Sequence, residues 1–139
     1  MKKVMVGLVI LSVMLTGCGK DTLTCTSKSN DLGKNVETKI IVTFKGDEAS
    51  KLVTNISTTY EQEYLAELEA NYENFENSFK EHNKLDGVKA TTTKKENVLN
   101  ANLEFDMTKK EAKKNSGFSE YTTREHYRQN LERSGYTCN

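Results

Sequence analysis

The chain has 139 residues, with 20 basic and 20 acidic side chains, three cysteines and neither proline nor tryptophan. Balanced charge argues against a nucleic-acid binder, whose electrostatic footprint is concentrated lysine and arginine. Hydrophobic residues make up 35% of the chain, so a single domain of this size carries a lean core under a heavily solvated surface.

Lys2 and Lys3 precede an apolar run from Val4 to Leu15, interrupted only by Gly7 and Ser12, and Leu15-Thr16-Gly17-Cys18 closes it. Positive charge, apolar segment and then small residues is the order of an export signal. The run is too short to span a bilayer, which takes about 20 apolar residues, and the chain turns polar at Gly19-Lys20-Asp21. Small residues directly before a cysteine are what lipobox processing requires. The expectation is therefore a bacterial lipoprotein: residues 1–17 a signal peptide, residues 18–24 the lipidated Cys18 and a short tether, residues 25–139 one globular domain. An ordinary secretory signal, with Cys18 incidental, is the competing reading. Two acyl chains on Cys18 hold a protein firmly on a bilayer where one chain binds reversibly. A tether of about six residues reaches roughly 20 Å when extended, so the domain is expected beside the cell membrane, on its extracytoplasmic face. Loss of Lys2 and Lys3 leaves 18 basic against 20 acidic residues, a net of −2.

Cys25 and Cys138 then remain at opposite ends of the mature chain. In an exported protein such a pair is a disulfide candidate. Closing so long a loop constrains the unfolded chain by about 4.7 kcal/mol in the entropy description. Two unpaired thiols are the alternative. The pair lacks the Cys-X-X-Cys spacing of redox-active cysteines.

Thr22 to Lys28 reads as a short strand, followed by a polar loop from Ser29 to Asn35. From Val36 to Phe44, Val36, Ile40, Val42 and Phe44 share one parity and Glu37, Lys39 and Thr43 the other, giving one face to a core and one to water, with Ile41 as the exception. Lys45-Gly46-Asp47-Glu48 supplies a turn, and Leu52 to Tyr60 returns as a hairpin with a longer loop. Thr58-x-x-Glu61 has capping-box spacing. From Glu61 to about His82, the residues Tyr64, Leu65, Leu68, Tyr72, Phe75 and Phe79 recur as one helical stripe. Asp86-Gly87 ends it. Val88 to Thr93 and Asn97 to Phe105 form a second hairpin around Lys94-Lys95-Glu96, with Leu99, Ala101, Leu103 and Phe105 on one face. Thr108-x-x-Glu111 starts a short basic turn broken at Ser116-Gly117; Thr122-x-x-Glu125 starts a last helix that Gly135 caps. Tyr136 to Cys138 can add a final edge pairing. The order β-β-β-α-β-β-α predicts an α+β fold with an antiparallel sheet of about five strands and the helices on one face.

Chemistry-bearing patterns are sparse. His82 and His126 belong to no metal-ligand spacing, no nucleophile elbow or glycine-rich phosphate loop occurs, and no metal or cofactor is expected. Glu104 and Asp106 share a strand face and can in principle divide acid and base work; a solvated face is the plainer reading. Glu63 and Glu67, then Glu69, Glu73 and Glu76, stack like charges on the first helix at about 0.2–0.5 kcal/mol per pair, either an acidic face for a cation or a solvated helix end. Lys109, Lys110, Lys113 and Lys114 form a basic patch that can touch anionic headgroups or simply solubilise.

Thr43-Phe44-Lys45-Gly46-Asp47, Tyr72-Glu73-Asn74-Phe75, Gly87-Val88-Lys89 leading to Leu103-Glu104-Phe105-Asp106-Met107, and terminal Ser134-Gly135-Tyr136 together resemble the YehR-type family of small bacterial lipoproteins. The Cys25 and Cys138 pair departs from that family's pattern. The resemblance implies an anchored globular domain and carries no catalytic residues to transfer. The expected function is a lipid-anchored, non-enzymatic binding or interaction module whose partners are the membrane and an envelope protein or small ligand. An envelope hydrolase with a site assembled from scattered polar residues is the alternative.

Overall fold

The computed structural model describes residues 21–139. The expected signal peptide, residues 1–17, and Cys18 lie outside the described residues. Strands β1 (Asp21–Asp31), β2 (Lys34–Lys45) and β3 (Glu48–Tyr60) lead through a 3-10 turn at Gln62–Tyr64 into helix α1 (Leu65–His82). There follow β4 (Val88–Lys95), β5 (Val98–Asp106), α2 (Lys110–Asn115), α3 (Arg124–Arg133) and a two-residue β6 (Thr137–Cys138).

The fold is α+β with an antiparallel sheet, of six strands rather than five, ordered β4-β5-β3-β2-β1-β6. The element order gains α2 and the closing β6 over the expected one. They correspond to the short basic turn after Thr108 and the edge pairing at Tyr136 to Cys138, both left out of that order; β6 pairs with Cys25 and Thr26 of β1.

The first two hairpins turn over two residues each, Leu32-Gly33 and Gly46-Asp47, so the longer loop expected after β2 is absent. Both glycines take positive φ, the backbone that tight turns demand and glycine supplies without strain. Gly33 is doubly constrained, because a β-carbon there would lie 2.1 Å from the Tyr64 ring. A register shift between Thr43 and Phe44 marks a bulge near the second turn.

Alternation assembles the core in rows across the sheet. Leu23, Val42, Leu52, Phe105 and Val88 are successive cross-strand partners from β1 to β4, and all are buried. Each contributes about 1.5–3 kcal/mol by leaving water. Tyr127 and Leu131 of α3 and Ala112 of α2 join this row. Leu68 of α1 packs on Tyr60 and Leu99, and Phe79 on Ala90 and Ala101, as the helical stripe requires.

Two of the expected helix starts are displaced. Thr58 is still inside β3, paired with Val36 and Leu99, so it cannot cap α1. Thr108 donates its hydroxyl to Asp106, and Lys109 precedes α2 without a side-chain cap. The third starts one residue late: Thr123, not Thr122, accepts from the His126 backbone N–H. Gly135 ends α3 at φ 92°, with Tyr136 N–H on the Leu131 carbonyl and Gly135 N–H on that of Glu132. That pair of bonds is the Schellman arrangement.

Candidate functional site

Every core row has a counterpart one residue along, pointing the other way. Next to the buried row runs Thr24, Ile41, Val53, Glu104 and Lys89; beyond it run Thr26, Lys39, Asn55, Asn102 and Thr91. These side chains form a second sheet face. A depression of about 590 Å³ lies over it, and every residue lining it belongs to a strand. It adjoins a second hollow of about 490 Å³ at the Lys45 and Gly87 end, with Lys51 and Glu104 shared between the two.

The chemistry of this face is hydroxyl, amide and ammonium. Asn102 donates to the Asn55 side chain across β5 and β3. Lys28 binds Glu37 at 3.0 Å and Lys51 binds Glu104 at 2.9 Å. Ile41 and Val53, direct cross-strand partners, supply its apolar centre. Ile41, the residue out of step with the core parity, therefore belongs to this face, and its β-branched neighbour is the signal that points there.

The sequence candidates land as follows. Cys18 is outside the described residues. Cys25 and Cys138 face each other between β1 and β6 with their Sγ atoms at disulfide distance, 1.99 Å, across 113 residues of chain. His82 ends α1 with Nδ1 2.9 Å from the Ser78 carbonyl, and His126 lies in the first turn of α3 against Tyr121. Glu104 and Asp106 share the open face but are held separately, Glu104 by Lys51 and Asp106 by the hydroxyl and backbone N–H of Thr108. Those two donors keep the Asp106 carboxyl below its ordinary value, so it stays ionised, whereas a general acid needs the opposite shift. Among the described residues no three His, Cys, Asp or Glu side chains converge on one point.

The acidic face of α1 is met from the sheet. Lys34 of β2 binds Glu67, and Lys94 of β4 binds Glu69 while lying over the Tyr72 ring. The repulsion expected along this helix is thus offset by tertiary partners. Of the basic patch, Lys109 reaches Asp86 at 3.8 Å, and Lys110 and Lys113 border a third hollow of about 530 Å³ with Tyr121 and Tyr127.

No family model matches the chain, and no curated protein matches it. Among solved structures, it is similar to a protein from Streptococcus pneumoniae TIGR4 determined by NMR, with a TM-score of 0.56 at 17% identity, covering 86% of this chain and 85% of that one. At that identity the likeness shows the fold alone. No described helix is long and apolar enough to cross a membrane.

Proposed function

We propose that the protein is a lipid-anchored binding module of the bacterial envelope, of the YehR type, that presents its open sheet face to a partner. One observation carries this reading: a continuous strand-built face of hydroxyl, amide and lysine side chains, hollowed over its centre. The lipobox ending at Cys18 supports the anchor.

The anchor is tested by mass measurement of the native protein, which should begin at Cys18 and carry a diacylglycerol, and by Cys18→Ala, which should lose membrane association. The face is tested with Asn55→Arg, which fills its centre with a bulky cation. This variant should no longer retain the envelope material that the wild-type protein retains, while Glu73→Arg on α1 should retain it. Equal retention by wild type and Asn55→Arg would defeat the binding-face reading.

A further inference from the structure

The open face is where the described chain has a net positive charge. Alternation and pairing along the strands place Lys28, Lys39, Lys45, Lys51, Lys89 and Lys95 on it, against Glu37, Glu48, Glu104 and Asp106, a net of +2. The other described residues carry 11 basic and 16 acidic side chains, a net of −5. Helix α1 alone holds five glutamates and one lysine. Charge is thus segregated between the two sides of one thin sheet, which favours an anionic partner on the open side.

Glu37, Glu104 and Asp106 on that side are already engaged, by Lys28, Lys51 and Thr108. Among the described residues, Lys39, Lys45, Lys89 and Lys95 have no carboxylate oxygen within 4.0 Å. Lys39 stands at the middle of the face. Lys45 is six residues away on the same strand, roughly 20 Å, and Lys89 is three strands across and two residues along, roughly 16 Å. No single small anion reaches all of them, so the ligand's charge must recur along a chain. Between the lysines lie threonine hydroxyls and asparagine amides, each able both to donate and to accept, which suits free hydroxyls on that chain. Among the described residues, none on this face is aromatic. It therefore offers no platform for sugar rings, and none for nucleobases, which single-stranded nucleic-acid binders stack on aromatic side chains.

We infer that the open face binds a linear, phosphodiester-linked polyol: a polyanion with an acyclic, hydroxyl-bearing backbone. Lysine, a compact point charge, is an established partner for phosphate. The inference rests on the reading of this face as the binding surface and gives that surface its ligand class.

The experiment uses the full lipoprotein in detergent micelles against immobilised polyglycerol phosphate, with polygalacturonate, polyglutamate and neutral dextran as comparison polymers. Polyglycerol phosphate should be bound most tightly, and rising salt should weaken it steeply. The Lys39→Gln/Lys89→Gln double variant should lose about tenfold in affinity, equivalent to about 1.4 kcal/mol, with an unchanged unfolding midpoint. Lys113→Gln, on the helix side, should bind as wild type. No retention on polyglycerol phosphate, tighter binding of polygalacturonate or polyglutamate, or undiminished affinity in the double variant would each overturn the inference. If Asn55→Arg abolishes retention of envelope material while polyglycerol phosphate is not bound, the ligand class falls and the binding face stands. If neither result appears, both fall.

Discussion

The side-chain amide of Asn83 hydrogen-bonds both backbone groups of Ala90, accepting from its N–H at 2.7 Å and donating to its carbonyl at 2.8 Å. Ala90 lies on β4, an edge strand whose outward N–H and C=O groups would otherwise seek water or another chain. Asn83, just past α1, acts as a one-residue extra strand and ties the helix to the sheet.

Asn83→Ala should cost about 1–3 kcal/mol, because Ala90 is buried and two backbone groups lose their partner. Denaturant unfolding measures the loss, and hydrogen exchange at the Ala90 amide should accelerate more than at the Leu103 amide on β5. An unchanged Ala90 exchange rate would show that the edge is protected by something else.

Helix α3 should be sensitive to Thr123 and indifferent to Thr122. Thr123→Ala removes the acceptor for the His126 amide and should cost about 1 kcal/mol, whereas Thr122→Ala should stay within about 0.5 kcal/mol of wild type. Thermal unfolding of the two variants side by side decides which threonine is the cap.

Breaking the Cys25–Cys138 link should destabilise the domain by about 2–5 kcal/mol, since it closes a loop across 113 residues of sequence. Mass measurement without reductant should find the two hydrogens of free thiols missing. Thermal unfolding with and without reductant then gives the size of the effect, and Cys25→Ala/Cys138→Ala should match the reduced protein.

Tyr127 is fully buried, and its Oη has no hydrogen-bond partner among the described residues. Burial pushes its phenol up to about 12 from 10.0. Above pH 10 the unfolded phenol ionises while the folded one keeps its proton, so the native state binds more protons and stability falls as pH rises from 10 to about 12. The size is about 2–3 kcal/mol over that window. Tyr127→Phe should remove this slope relative to wild type and, at neutral pH, leave stability equal or higher, because a buried hydroxyl without a partner is itself costly. A lower midpoint for Tyr127→Phe at pH 7 would reveal a hydrogen bond made by that hydroxyl.

Local pattern and tertiary setting divided this protein between them. The alternation of Leu99, Ala101, Leu103 and Phe105, the α1 stripe and the Gly135 cap are all legible in the sequence, because each depends on a short-range period or a φ that glycine supplies. The capping box at Thr58 fails because β3 runs on to Tyr60: pairing on both sides of a central strand outweighs one side-chain bond. The partners of the α1 glutamates were not legible, since Lys34 and Lys94 reach Glu67 and Glu69 only once strands far apart in sequence are adjacent.

The amino-acid order by itself determined which residues turn inward, where the turns fall and that Cys25 and Cys138 were candidates to meet. Only the tertiary structure decided that β5, not β4, pairs with β3, that β6 completes the other edge, and that Ile41, Val53, Lys39 and Asn55 stand together on one open surface. The physical reason is range: side-chain parity is set by the next residue along, whereas strand order and the sharing of a face are set by contacts made across the whole chain.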